Sequence, residues 1–533
     1  MSNVLNMHLN GVAMEQGAKV VQVQHRSVFS ELGLEETIRR LVAKTQELYL
    51  SDDIPWVIGY SGGKDSTATL QLIWTAVRGL AAEKRKKPVH VISTDTLVEN
   101  PIVAKWVEHS LEAMRVAAAA QDVNIKPHRL LPAVQDRFWV NLIGKGYPAP
   151  RPMFRWCTSR LKINPSNKFI SELAQQNGEA ILVLGTRKQE SYARRLVLER
   201  YEGSTRDLLS RNNNPKLDRV WVYTPIDNWS NDDVWEYLVT EPNPWGYNNQ
   251  ELLAIYRGAT ADNECPLVVD TSTPSCGDSR FGCFVCTLVD KDKSMQAMIQ
   301  NDEEKSWMLP LSEFRNRFLD IKNDWDHRDF RRMDRSLVLH KDGLLHGPYK
   351  QRRREELLFE LLKAQRLVQE TGPEHVRTLE LISLEELEEI RRIWVKEKAE
   401  LEDSLPRIYK RALGKDYPRT EFDEGHPISP EDVEVLRTVA SSSADPDELH
   451  FRLVRELLHI EQRYRTASRR AGIYDAFEKA LEGGAFESEQ EALEFARERA
   501  RLVDEAQGVT GPRAAADQIQ NFDEIAGIPE AKQ

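Results

Sequence analysis

Short runs of branched apolar residues punctuate the first half of the chain: Trp56 to Ile58, Val89 to Ile92 and Ile181 to Leu184. Each is bounded by turn signals, and between them lie stretches of roughly 15 to 25 residues compatible with helices. Val220 to Tyr223 adds a further strand, and Ser230 then opens a helix with Asp233 three positions on, a capping-box pair. Upstream, Phe29, Leu32, Ile38, Leu41 and Leu48 suit a helix within Ser27 to Leu50. Strand and helix in alternation predict βαβ units, hence an α/β fold with a doubly wound, mostly parallel sheet. In such sheets ligands bind beyond the carboxyl ends of the strands, so the loops there are the places to look for chemistry.

The pattern changes near residue 240. Residues 241–300 are rich in Pro, Gly, Asn, Thr and Cys with weak periodicity, as expected of a cross-linked insert. Residues 301–508 read as a highly charged helical domain. There Ser383 and Glu386 form a second capping box, and Leu384, Leu387, Ile390, Trp394 and Leu401 trace one face. Residues 1–26 read as an arm or a late-added strand, 27–240 as the α/β core, and 509–533 as a loosely held tail. With 533 residues, a division into two to four domains is expected, and no internal repeat is visible.

Charge narrows the function. A net charge of −11 argues against a protein that coats nucleic acid over its whole surface, while leaving room for a local basic groove. Three basic patches stand out: Arg328, Arg331, Arg332 and Arg335; Lys350, Arg352, Arg353 and Arg354; and Arg463, Arg465, Arg469 and Arg470. With Tyr349 and Tyr464 beside them they could track a phosphate backbone; a solvated helix face is the plainer reading of any single one. No apolar run approaches a membrane span and the N-terminus lacks a signal-peptide layout, so no membrane association and a cytoplasmic location are expected. Of five cysteines, Cys265, Cys276, Cys283 and Cys286 fall within 22 positions, which in a reducing compartment suggests metal before disulfides. Four thiolates suit zinc or an iron–sulfur cluster, and spacing does not decide between them.

The strongest chemical signal is Ser61-Gly62-Gly63-Lys64-Asp65-Ser66-Thr67, after an apolar strand and at the start of a helix. The glycines let the backbone turn and approach an anion, the exposed N–H groups and the helix's positive end favour pyrophosphate, and Lys64 adds a point charge. It is not a Walker loop: Ile58 stands where that pattern needs Gly, and Asp65 where it needs Ser or Thr. Asp95 ends an apolar strand, where a carboxylate can meet a ribose or a metal. Arg187, Arg194, Arg195 and Arg200 suit several phosphate oxygens. Cys157, between Arg155 and Arg160, is a candidate sulfur carrier, since positive neighbours favour the thiolate.

The Ser61–Thr67 string resembles the PP-loop of the ATP pyrophosphatases, the adenine nucleotide alpha-hydrolase superfamily, which cut ATP between the α and β phosphates. His90 to Thr96, Trp156 to Lys162, Gly185-Thr186-Arg187 with Glu190, Ser191 and Arg194, and Pro225 to Trp229 before Asp233-Val234-Trp235 are similar to the successive motifs of phosphoadenosine phosphosulfate (PAPS) reductases, over about residues 54 to 240. Phe281 to Thr287, Lys291 to Met295 and Gly343 to Tyr349 further resemble the DndC family, the sulfurtransferases of DNA phosphorothioation.

That resemblance implies ATP held by Ser61, Gly62, Gly63, Lys64, Asp65, Ser66, Thr67, Asp95, Gly185, Arg187 and Arg194, with Asp65 helping to hold Mg²⁺. Lys64, Asp65, Cys157 and Arg187 are the implied catalytic set. A [4Fe-4S] cluster would sit on Cys265, Cys276, Cys283 and Cys286, with Cys157 a substitute ligand if Cys265 or Cys276 is not one. The implied partners are DNA as substrate, a cysteine desulfurase as sulfur donor, and the DndD and DndE subunits. PAPS reductases carry a catalytic cysteine near their C-terminus, whereas no cysteine follows Cys286 here, so sulfite release through a tail thiol is not expected. A sulfonucleotide reductase and a PP-loop RNA thiolase remain the alternative classes.

Overall fold

The computed structural model describes residues 27–152, 154–190, 208–212, 214–259, 281–340, 343–418, 429–440, 448–465, 470–484, 486 and 488–506. Its centre is a sheet of six strands, β1 (Trp56–Gly59), β2 (Val89–Thr94), β3 (Ile125–Leu130), β4 (Ala180–Val183), β5 (Ser210–Arg211) and β6 (Val220–Tyr223), in the order β3-β2-β1-β4-β6-β5. All neighbours run parallel except β5 against β6. Trp56 of β1 lies opposite Val89 of β2 and Ile181 of β4, so the strands with continuous apolar runs occupy the middle, covered on both faces.

Helices α1 (Gly33–Leu50), α2 (Lys64–Arg78) and α3 (Pro101–Ala120) supply one side; Leu48, Leu70, Trp74 and Met114 pack with Trp56, Ile58, Val91 and Val183. On the other face Val57, Ile92, Leu182 and Val220 meet Ile170 and Ala174 of α4 (Asn164–Asn177). Two of the helices that follow strands are capped locally. Asn100 accepts from the Ile102 N–H at 3.0 Å to cap α3, with Pro101 at its first position, and the Ser230–Asp233 box caps the helix Asn231–Thr240 reciprocally.

β3 escapes the sequence reading. Its Ile125-Lys-Pro-His-Arg-Leu is half exposed, and Pro127 is tolerated because the strand lies at the sheet edge. In the second half the face traced from Leu384 also needs correction. The helix Leu384–Arg392 widens into a π-type turn at Ile393–Glu397 and stops before Ala399, whose φ is +56°, so Leu401 is buried from beyond the helix. The composition shifts near 240 and 300, but the packing crosses them. Trp139, Val140 and Ile143 share one core with Phe284, Phe314, Leu361, Ile390 and Trp394. The indoles of Trp139 and Trp394 donate across it to the carbonyls of Leu381 at 2.6 Å and Ile143 at 2.9 Å.

Candidate functional site

The Ser61–Gly63 turn leaves β1 and delivers Lys64 as the first residue of α2. Gly62 has φ +73°, and a Cβ there would lie 2.4 Å from Val107 Cγ2, so only glycine fits. The turn is laced from within. Ser66 Oγ accepts from the Ser61 N–H at 3.2 Å, contacts Ser61 Oγ at 3.1 Å, and donates to the Gly63 carbonyl at 3.0 Å. Gly63 precedes α2 with extended backbone and no side-chain cap, which leaves the helix's positive end to face a ligand.

Gly185, in the loop after β4, closes on the same helix start. A Cβ there would sit 2.7 Å from the Asp65 carbonyl oxygen and 2.8 Å from Thr69 Oγ1. Arg187 follows, 4 % exposed, donating from Nε to Asp65 Oδ1 at 2.7 Å and from Nη1 to the Trp229 carbonyl at 3.2 Å. Lys64 Nζ lies 3.2 Å from Asp65 Oδ2. Both Asp65 oxygens thus face a cation. Arg187 positions Asp65 rather than reaching openly for phosphate, and Mg²⁺ on Asp65 would have to displace Lys64 Nζ.

Asp95, beyond β2, accepts the Leu97 N–H at 2.7 Å on Oδ1 and Arg129 Nε at 2.9 Å on Oδ2. These parts line one cavity of about 810 Å³, comprising Ser61, Gly63 to Ser66, Asp95, Gly185 and Arg187. It opens where β1, β2 and β4 end, the place the doubly wound topology predicts. Thr67 lies one position further into α2 and is buried. Arg194, Arg195 and Arg200 lie outside the described residues.

Four residues of this site carried no individual role in the sequence reading. Tyr256 Oη accepts from the Lys64 N–H at 3.3 Å, and Lys64 Nζ lies 5.6 Å from the Tyr256 ring centre, so a phenol takes up one N–H group of the helix start. Lys162, on the cavity wall, pairs with Glu99 Oε1 at 3.4 Å, and Thr96 Oγ1 bridges Glu99 at 3.0 Å and Cys283 Sγ at 3.5 Å. Glu99 and Cys283 also share an antiparallel backbone bridge. Lys162 and Thr96 sat inside motifs already visible as strings; Glu99 and Tyr256 had no local signal, since only the fold brings them here.

The thiols lie behind this wall, where Cys283 is bridged to the cavity-lining Glu99. Cys157, Cys283 and Cys286 are free and half-buried. Burial pushes Cys283 up to about 12, and Cys157 is also raised, chiefly by burial and further by Cys286. The expectation of an activated Cys157 thiolate is therefore corrected: Arg160 is spent on Asp136 at 2.8 Å and the Tyr147 hydroxyl at 3.2 Å. Burial also works against the Lys162 ammonium, yet Cys283 and Glu99 hold its pKa above the ordinary lysine range. The donor chemistry of this wall suits a soft metal. Among the described residues, however, no group of three or more His, Cys, Asp or Glu is arranged to hold a metal ion. Cys265 and Cys276 lie outside those residues.

The motifs of the DndC resemblance frame this wall. Phe281 packs edge-on against Tyr256 at 4.7 Å, Phe284 N–H donates to the Val98 carbonyl at 3.0 Å, and Thr287 Oγ1 donates to Pro150 at 2.5 Å. Gly343 to Tyr349 instead ties the helical half to this region: Tyr349 N–H donates to Gly146 at 2.6 Å, and its hydroxyl donates to Asp324 at 3.1 Å. No helix of the described residues is long and apolar enough to cross a membrane.

Residues 55–245 match the family model of the phosphoadenosine phosphosulfate reductase domain. Over those residues, well under half of the chain, the protein is similar to that domain. An uncharacterised protein of Methanocaldococcus jannaschii is 27% identical over 253 residues, which is 48% of this chain and 40% of that protein, so the match spans well under half of the relative's length. Among solved structures, the phosphoadenylyl-sulfate reductase of Candida auris in its phosphate complex aligns over 41% of this chain and 91% of its own, at 16% identity and TM-score 0.25. The U34-tRNA thiolase NcsA of Methanococcus maripaludis with its [4Fe-4S] cluster aligns over 56% and 84%, at 13% identity and TM-score 0.26.

Proposed function

We propose that this protein is an ATP-dependent sulfurtransferase of DNA phosphorothioation. In this reading a nonbridging oxygen of a DNA phosphate attacks the α-phosphate of ATP, breaking the bond to pyrophosphate and giving adenylated DNA. Sulfur from a cysteine desulfurase partner, carried by Cys157 or by the thiol wall, then forms a P–S bond as AMP leaves with its oxygen. Where the donor is a persulfide, an external thiol supplies the two electrons that free its outer sulfur. Lys64 and the α2 N–H groups stabilise charge developing on pyrophosphate, Arg187 holds Asp65 in place, and Lys162 faces the reacting groups from the thiol side. A [4Fe-4S] cluster on Cys283 and Cys286, completed by Cys265 and Cys276, would supply a soft iron centre that accepts sulfur. DndD and DndE subunits would present the DNA.

The observation that supports this reading is that Cys283 lies directly behind the cavity wall: it touches Thr96 and shares a backbone bridge with Glu99, which lines the cavity together with Ser61 and Gly63 to Ser66. A phosphate cradle and a sulfur donor must be neighbours for any thiolation of an activated phosphate. Lys64→Ala should lower pyrophosphate release about 10²–10³-fold while leaving iron and acid-labile sulfide content unchanged. Undiminished release would remove Lys64 from the role. The match to the PAPS reductase domain favours a sulfonucleotide reductase as the second reading; sulfite formation from PAPS without DNA would select it.

A further inference from the structure

A second cavity, of about 610 Å³, lies in the helical half between the 329–335 and 348–354 segments and the helix Leu449–Arg465. Eleven arginines and lysines line it against four aspartates and glutamates. Arg331, Arg332 and Arg335 come from the first basic patch of the sequence, Lys350 and Arg354 from the second, and Arg463 from the third. Residues of patches up to about 130 positions apart thus converge, and the first two are not simply solvated faces, because Arg332 and Arg354 are buried, as is Arg455 beside them; Arg463 stays exposed at the mouth. Arg328 and Arg353 are spent elsewhere, on the carbonyls of Gly347 and Phe318, and Arg469 lies outside the described residues.

The four carboxylates are already committed. Asp329 is shared by Arg331 and Arg452, Glu400 is held by Arg354, Glu456 by Arg335, and Glu397 by Arg392. Among the described residues Arg332 has no ion pair, and Asp334 acts on it only from a distance. Arg332 is 5 % exposed, and its Nε and Nη2 make no hydrogen bond. The Nε of Arg455, 6 % exposed, is likewise unmatched, although its Nη1 reaches Gln351 at 2.6 Å. Burial pushes Arg332 down to about 10; it pushes Lys398 down to about 7, with Arg354 adding repulsion. In both, burial outweighs the nearby carboxylates, Asp334 for Arg332 and Glu400, Asp329 and Glu397 for Lys398.

A buried guanidinium without a partner costs stability, and a planar fork of donors matches phosphate oxygens. We propose that this cavity is a second anion site, separate from the PP-loop, which takes a phosphate oxyanion on Arg332. Free polyphosphate and the backbone phosphate of a nucleic-acid strand present the same chemistry, and the inference does not require the PP-loop to turn over ATP.

The test uses the full chain carrying Lys64→Ala, which weakens the first phosphate seat, with and without Arg332→Met. Two probes are titrated: inorganic pyrophosphate by calorimetry and a fluorescein-labelled single-stranded 12-nucleotide DNA by anisotropy. Arg332→Met should weaken at least one probe about tenfold or more. Loss for pyrophosphate points to a free polyphosphate, and loss for DNA alone points to a strand. The melting temperature should hold or rise, since an unmatched buried charge has been removed. Lys398→Gln provides a second variant, with weakening of the same probe expected. The proposal falls if neither probe binds, if both bind equally to all variants, or if Arg332→Met melts several degrees lower, the mark of a structural arginine.

Discussion

The two cavities present positive charge by opposite means. At the end of the sheet the cradle is chiefly backbone: two glycines, a helix start, and Lys64 and Arg187 set around one carboxylate, Asp65. In the helical half it is side chain, with ion pairs consuming most of the charge and Arg332 left over. A backbone cradle is written in one short string, because consecutive N–H groups must come from consecutive residues. A side-chain pocket can be assembled from residues scattered between 329 and 463, each unremarkable in its own neighbourhood. The first kind binds by shape and tolerates no Cβ; the second carries its stability in pairs that must stay intact.

The largest expected effect tests that second half. Arg354 and Glu400 are 3 % and 2 % exposed, joined by two hydrogen bonds, with Nη1 to Oε2 at 3.3 Å. Glu400→Ala leaves the guanidinium buried and uncompensated, which should cost about 3–5 kcal/mol in urea melts. Replacing both partners, Arg354→Met with Glu400→Leu, should restore most of it, because the desolvation penalty disappears with the charges. A single variant as stable as the parent would show that water reaches this pair.

How much was legible follows the same division. The apolar runs located β1, β2, β4 and β6, and the Ser230 and Ser383 boxes formed as read, since each signal is local and stronger than its surroundings. β3 was hidden because an edge strand with Lys126, Pro127 and Arg129 needs no apolar pattern. Ser61, Gly63 to Ser66, Asp95, Gly185 and Arg187 line one cavity, but their partnering did not show in the string: Arg187 lies 122 positions from Asp65 and is engaged by it. The thiolate expected at Cys157 was misread for a related reason. Arg160 turns to Asp136 and Tyr147 in space and Arg155 to the Pro152 carbonyl, leaving burial to set the thiol.

A smaller effect probes the cradle. Gly62→Ala places a Cβ 2.4 Å from Val107 in a left-handed residue and should cost about 1–3 kcal/mol. ATP-analogue affinity should fall alongside, read by calorimetry. Gly282→Ala is the control: nothing lies within 4 Å of its Cβ and its φ is not positive, so stability should stay within about 0.5 kcal/mol. Equal losses in the two variants would mean that the turn is not held by shape.

Acid separates the two halves most finely. In the sheet, His90 of β2 and His128 of β3 meet at 2.9 Å between ring nitrogens beside Phe169. Burial, with His128 adding repulsion, pushes His90 down to about 4, and burial lowers His128 as well. Both are neutral in folded and unfolded chains above the ordinary histidine pKa of about 6.5. As pH falls below it, the unfolded chain takes up protons that the folded sheet refuses until about 4, so stability is lost across that window. Discounted for half-exposed rings, the loss is about 1–2 kcal/mol. In the helical half Arg452 and Arg331 overcome burial and hold the Asp329 carboxyl far below the carboxylate range, so its stabilisation persists through the same window. Hydrogen exchange at pH 7 and pH 4.5 should therefore show protection falling in Val89–Thr94 before Gln351–Thr371, and His90→Gln should flatten the difference. Simultaneous loss in both segments would mean that the shared core around Trp139 couples the halves into one unfolding unit, and that the contrast between their ways of holding charge does not reach their stability.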